Sequence, residues 1–231
     1  GVFDAGYWDV AVEYVKASAE DILVKVTATN RGPAPATLHL LPTLWYRNTW
    51  SWGLDARRPR LREAQRRPGA AVLSTDHPLY GPRWLLAEGE PELLLTENES
   101  NARRLWGVAN ESPFVKDAFH ETVVHGRREA VNPSRVGSKA AAWYVGEADP
   151  GGSIELRLRL TNRLPAGDGA GDDFAEFFAL RRAEADEFYE ALQPAGLSDD
   201  ERNVQRQAFA GLLLTKQYYG FEVARWLKGD P

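Results

Sequence analysis

Apolar and polar residues alternate along most of the first two thirds of the chain. Trp8, Val10, Val12 and Tyr14 fall on one side of an extended segment, with Asp9, Ala11 and Glu13 on the other, the period-two signature of a half-buried strand. Ile22, Val24, Val26 and Ala28 repeat the pattern between Asp21 and Asn30. The six residues Asn30 to Pro35 are turn chemistry, so the strand expected over 36–45 should return as a hairpin and give three consecutive antiparallel strands. Short strands are expected at 70–75, 84–87 and 93–97, punctuated by Pro78, Gly81, Pro82, Gly89 and Pro91. Alternation resumes at 139–145 and 153–161 around Pro150, Gly151 and Gly152, predicting a final hairpin. Regularly spaced short strands point to a mainly β fold, an antiparallel β-sandwich followed by two α-helices.

Two stretches break this rhythm. Residues 55–69 carry six arginines and two prolines, which reads as an exposed loop or edge segment. Residues 98–132 are polar and irregular, and a stretch of that length in a compact domain is either functional or packed against something.

Past Leu164 the period changes. Residues 165–173, PAGDGAGDD, read as a flexible linker. Phe174, Phe177, Phe178, Arg181, Ala185, Phe188 and Leu192 then follow a helical spacing. A second helix opens at Ser198, with Glu201 at the capping-box position, and can run to about Leu227. The expected organisation is a sandwich over 1–163, a Gly/Asp-rich linker over 164–173 and a helical region over 174–231. Leu212, Leu213 and Leu214 run together, and Phe209, Tyr218, Phe221 and Val223 spread around the cylinder. A helix apolar on several faces expects neighbours on several faces.

The stretch from Leu38 to Gly53 ends with Trp45, Tyr46, Trp50 and Trp52 inside eight residues. Aromatic faces beside Arg47, Asn48 and Asp55 suit a sugar, which offers C–H faces for stacking and hydroxyls for hydrogen bonding. On residue type alone, aromatics that simply fill a sandwich core are the more ordinary reading. Arg47, Asn48, Trp50 and Trp52 are the candidate residues of a sugar-binding rim.

Composition narrows the classes. The 231 residues carry a formal net charge of -5, opposite in sign to the field of a general nucleic-acid binder. No cysteine is present, which removes disulfides, thiolate metal sites and cysteine nucleophiles. No apolar run reaches the length of a membrane span and no targeting segment is visible, so a cytoplasmic chain is expected. The lack of any Met, and an end directly after the last helix, read as a piece of a longer protein.

Several motifs fail on spacing. His120, Glu121 and His125 miss the zinc-protease pattern because the second His is five residues on and Val124 holds its place. The glycines at 167, 169 and 171 mimic a nucleotide loop, but Asp168, Asp172 and Asp173 would oppose a phosphate. Asn98–Ser100 and Asn110–Ser112 match the weak glycosylation sequon. No Gly-x-Ser-x-Gly elbow occurs, and no pair among the 33 acids is selected for glycoside hydrolysis: Asp55, Glu97, Glu99, Asp117 and Glu121 lie near the aromatics or in the irregular stretches, where surface solvation is the expected fate of each. No metal or cofactor is expected.

Four segments carry a resemblance: TNRGPAPATLHLLPTLWYRNTWSWG from Thr29, LLLTENESN from Leu93, SPFVKDAFHETVVHGRREAVNP from Ser112 and the run from Leu197 to Pro231. They resemble the N-terminal part of bacterial glucosidases related to glycoside hydrolase family 63, a clan that includes mannosylglycerate-hydrolase-like and mannosyl-oligosaccharide glucosidase enzymes. The resemblance implies an N-terminal β-sandwich, a helical linker and an (α/α)6 barrel holding the catalytic carboxylates, with inverting hydrolysis of an α-glucosidic bond. It places no catalytic residue on this chain. The expected roles are a non-catalytic portion that supports the barrel and shapes its sugar pocket, an independent carbohydrate-binding module, or a domain that self-associates through its exposed helix face.

Overall fold

The computed structural model describes residues 1, 3–51, 53, 57–215 and 220–229, which divide into two units at Ala175 and Glu176. The fold is mainly antiparallel β, with helices towards the C-terminus. In the first unit, seven strands form one sheet in the order β1 (Trp8–Ser18), β2 (Asp21–Asn30), β11 (Ser153–Thr161), β7 (Gly81–Glu88), β6 (Ala70–His77), β5 (Arg60–Glu63) and β9 (Val136–Gly137). A smaller sheet is centred on β10 (Lys139–Ala148), which pairs with β3 (Ala36–Leu40), β4 (Thr43–Trp45) and β8 (Glu92–Thr96).

The core lies between the sheets. Val26, Leu61, Leu73, Leu85, Leu156 and Leu158 of the large sheet meet Leu93, Leu95, Ala140 and Ala142 of the small one. Leu94 and Ala141 point the other way and are covered by Phe119 of a short helix. That double covering is why β8 carries Leu-Leu-Leu and why residues 140–142 of β10, Ala-Ala-Ala and all buried, depart from the alternation expected over 139–145. A Cβ at Gly146 would stand 2.7 Å from the Ile154 Cδ1 methyl of the opposing sheet, so any larger residue there would need that side chain to move.

Pro42 divides the strand expected over 36–45. It has no N–H for the ladder, although its carbonyl accepts from the Ala142 amide and β3 and β4 keep a single register along β10. Neither expected hairpin forms around Asn30 or Gly151. The buried Asn30 amide donates to the Ala34 and Ala148 carbonyls and accepts from Gly32 N–H, which tips the 30–35 turn over to β10 instead of back to β2. Asn30 N–H also donates to Gly152 and its carbonyl accepts from Gly151. The chain therefore changes sheets on both sides of this one residue, and β10 and β11 are neighbours in sequence but not in a sheet.

The irregular stretches have structure too. Leu61 is fully buried between exposed Arg60 and Arg62, so the arginine-rich segment contains a strand, flanked on its outer side by the two residues of β9. Within 98–132 lie α1 (Ala102–Trp106), α2 (Ala118–His125) and a 3-10 turn at Arg128–Ala130. Residues 165–173 are seated on the large sheet rather than loose. Buried Arg159 donates to the Ala170 carbonyl and pairs with Asp21 and Asp173, and Arg67 donates to the carbonyls of Pro165 and Gly167.

The helices are α3 (Phe174–Glu190), which enters the second unit, α4 (Asp199–Leu214) and α5 (Val223–Leu227). Within the second unit, α3 and α4 are tied by the Arg206–Asp186 ion pair and by hydrogen bonds between Gln193 and Arg202. The single helix expected from Ser198 to Leu227 is not formed: α4 stops at Leu214, Thr215 bonds its hydroxyl back to Gly211, and residues 220–222 are non-helical. Gly220 disfavours continuation through its backbone entropy. No helix among the described residues is long and apolar enough to cross a membrane.

Candidate functional site

After β4 the chain leaves the small sheet and is fastened by asparagines. Tyr46 accepts a hydrogen bond on its hydroxyl from Thr75, and its carbonyl accepts from the Asn98 amide at 2.9 Å. Burial pushes the Tyr46 phenol above its ordinary pKa, opposed by the Thr75 hydrogen bond. Asn48 reciprocates, donating to the Asn98 carbonyl at 2.7 Å while its own oxygen accepts from Ser51 N–H. The two asparagines thus hold the loop after β4 against the segment leaving β8.

Trp50 donates its indole N–H to Glu99 at 3.0 Å, and Arg58 bridges Glu99 and Glu97 while lying 5.7 Å from the Trp50 ring centre. Glu97 also accepts from the Ser138 hydroxyl at 2.5 Å. Glu99 is only 9% exposed, and a carboxylate taken that far from water needs such partners. The two acids are tied to one guanidinium and do not face each other across open space.

A third asparagine organises the opposite wall. Asn101 caps α1 by accepting from Arg104 N–H, accepts from the Asn110 amide and donates to Asp117. Asn110 in turn accepts from Arg103 N–H. Both sequon asparagines, Asn98 and Asn110, therefore have their side chains engaged inside the protein.

Between these walls lies a cleft of about 700 Å³, lined by Trp45, Arg47, Asn48, Glu99, Trp106 and Lys139 among others. Trp45 and Trp106 are 55% and 66% exposed. Their broad apolar faces stand beside amides, a carboxylate and cations. Lys139 donates to the Lys116 carbonyl at 2.8 Å and lies 4.6 Å over the Phe119 ring. Its ammonium is held below the usual lysine pKa by burial first and by Lys116 second, with Asp117 opposing. The lining mixes Glu99 and Glu111 with Arg47, Lys116 and Lys139. That balance fits a neutral polyhydroxylated ligand better than a polyanion.

On the far side of the Trp45–Trp50 wall is a smaller cleft of about 420 Å³, lined by Trp50, His77 and Tyr80 among others. His77 sits between the Tyr46 and Tyr80 rings, each 4.5 Å away, and accepts from the amides of Leu79 and Tyr80 on one nitrogen.

Of the four rim residues expected from sequence, Arg47 lines both clefts, Asn48 lines the larger and Trp50 the smaller. Asn48 has both ends of its amide occupied by main chain, so it shapes the loop rather than presenting itself to a ligand. Trp52 and the nearby Asp55 lie outside the described residues. Glu99, expected at the solvated surface, is instead buried, and it, Trp106 and the asparagines at 98, 101 and 110 fall outside the four expected rim residues. The available signal was the density of Asn between 98 and 110, which the sequon pattern obscured. His120 and Val124 are both exposed on α2, and no group of three potential metal ligands assembles among the described residues.

No family model matches the chain. An uncharacterized protein of Saccharomyces cerevisiae is 33% identical over 265 aligned positions, taking in 98% of this chain and 24% of that protein. The chain thus spans about a quarter of the length of the curated relative it matches.

Proposed function

We propose that this chain is the non-catalytic β-sandwich portion of a glucosidase-like glycoside hydrolase, and that its larger cleft forms part of the rim of that enzyme's sugar pocket. The observation that carries the reading is the cleft itself. Two exposed tryptophans flank a wall of amides, carboxylates and cations, the combination that stacks on a pyranose and reads its hydroxyls. The resemblance to the family 63 glucosidases supplies the α-glucosidic class of ligand. The role as support for a barrel rests on the exposed apolar side chains of the second unit, including Leu212, Leu213, Leu214 and Trp226, a surface suited to being covered.

Calorimetric titration of the 231-residue chain with α-linked gluco-oligosaccharides tests the cleft. Binding should be measurable and should weaken about tenfold in Trp106→Ala and in Trp45→Ala, the loss of one stacking face at roughly 1–1.5 kcal/mol. Heat unchanged by either substitution would remove the cleft from the reading. Incubation with aryl α-glucosides should give no turnover; turnover abolished by substituting one carboxylate of this chain would overturn the non-catalytic assignment.

A second reading, an independent carbohydrate-binding module, is favoured by one observation: every residue lining the cleft belongs to the first unit. Tight binding by the chain alone, unchanged when the same cleft is present in a longer enzyme, would favour the module over the rim.

A further inference from the structure

β1 ends the large sheet, and among the described residues no strand pairs with its outer side. Along its eleven residues it pairs with β2 in one register through Lys16, with Val12 opposite Val26. Val26 belongs to the sandwich core, so Trp8, Val10, Val12 and Tyr14 continue the core-facing side of the sheet. That continuation is uncovered: Val10 and Val12 are each 47% exposed and Tyr14 is 72% exposed. The Arg31 amide donates to the Tyr7 carbonyl, which fixes the phase of the ladder. Odd-numbered residues of β1 direct their N–H and C=O groups at β2, and Trp8, Val10, Val12, Tyr14 and Lys16 direct theirs at the free edge.

A long apolar edge is a template for another strand, and folded proteins ordinarily blunt such edges with proline, lysine or a bulge. Between Trp8 and Val15 there is no proline or lysine, the charges Asp9 and Glu13 lie on the other face and are paired with Arg31 and Lys25, and the one register irregularity falls later, between Lys16 and Ser18.

We propose that β1 pairs antiparallel with β1 of a second copy of this chain, about a two-fold axis at Val12, joining two large sheets edge to edge. The sequence is self-complementary in that register and poorly so in its neighbours. With the axis at Val12, Val10 faces Tyr14 of the second copy, Trp8 faces Lys16, Asp9 faces Val15 and Ala11 faces Glu13. The apolar pairs share one face, the indole meets an ammonium, and no like charges stand opposite. Moving the axis to Ala11 sets Asp9 against Glu13; moving it to Glu13 sets that residue against itself. Like charges directly opposite are destabilising. Moving it further shortens the overlap of the regular ladder, which runs from Trp8 to Lys16. At Val12 the central pair exchanges both of its main-chain hydrogen bonds, as the outward direction of its N–H and C=O requires.

The chain has no cysteine, so introduced thiols report the register cleanly. Under mild oxidation Val12→Cys should give a covalent dimer, while Val124→Cys, comparably exposed on α2, should not. A mixture of Ala11→Cys and Glu13→Cys chains should cross-link to each other in preference to themselves. In sedimentation equilibrium the unmodified chain should dimerise, and Val12→Lys, which sets two ammonium groups opposite each other, should weaken the dimer roughly tenfold. Gluco-oligosaccharide binding should be untouched by Val12→Lys, which keeps this proposal separate from the reading of the cleft. A chain that stays monomeric at every concentration overturns the proposal. So does cross-linking equal at Val12 and Val124, or a dimer lost in Leu213→Lys and kept in Val12→Lys.

Discussion

Asn98 shows how a residue that resembles a modification site can be a fastener. Its side chain donates to the Tyr46 carbonyl, its amide N–H donates to the Ser138 hydroxyl, and its carbonyl accepts from Asn48. Removing one partner of a half-buried hydrogen bond costs the desolvation of the group left behind, about 1–3 kcal/mol. Asn98→Ala should therefore lower the thermal midpoint by roughly 2–4 °C for each kcal/mol lost in a chain of this size, and a scanning calorimeter would read it. An unchanged midpoint would mean that water replaces the amide at no cost. The aromatic cluster and Arg47 were legible because residue type and proximity in sequence announce them. The meeting of Glu99 and Trp106 with that cluster was not, since Glu99 bonds Trp50 and Trp106 shares a cleft with Trp45 across separations of 49 and 61 residues that only the pairing of β4 and β8 along β10 closes. Sequence periodicity describes one face of one strand and carries no information about which distant loop that face will meet.

At the scale of elements, the start of α4 was the most legible boundary. Ser198 accepts from Glu201 N–H, and the Glu201 carboxylate accepts from Ser198 N–H, a complete capping box. The carboxyl of Glu201 is held below its ordinary value near 4.5, first by the Ser198 backbone hydrogen bond and then by the Ser198 hydroxyl. A carboxyl whose folded value is lowered contributes its full stabilisation above the unfolded value and loses it as pH falls through the folded one. The difference in urea stability between the natural chain and Glu201→Ala should therefore be largest at neutral pH and shrink as the solution is taken below about 4.5. A difference that held constant to low pH would assign the residue's effect to helix propensity instead. Ser198→Ala should cost about 1 kcal/mol at neutral pH. Strand existence was similarly legible at β1, β2, β6, β8 and β11, where local patterning suffices. Strand partnership was not: the turn residues at 30–35 favour reversal, and the buried Asn30 side chain decides which sheet receives the strand that follows.

At the scale of the molecule, the segment at 165–173 is where composition misleads most, because glycine and aspartate usually signal a solvated tether. Here the glycines at 167, 169 and 171 take positive φ, which lets the backbone turn tightly enough to bring Ala170 into a buried position and its carbonyl onto Arg159. Arg159 is 4% exposed and holds Asp21 of β2 and Asp173 ahead of α3 at once. Those two carboxylates keep its guanidinium above the ordinary arginine pKa, Asp21 contributing most, against the opposing effect of burial. Deleting one member of a buried ion cluster leaves the others without compensation, at about 3–5 kcal/mol. Arg159→Met keeps much of the side-chain volume and removes the charge, so the seat of the segment should fail before the sandwich does. Limited proteolysis with an enzyme that cleaves beside aspartate should then cut at 168–173 many times faster than in the natural chain, while the strands of the first unit stay intact. Asp173→Asn, which retains a hydrogen-bonding group and leaves the Asp21 pair in place, should fall between the two. Equal cutting rates in all three chains would show that the glycine turns alone seat the segment and that the arginine is incidental to it.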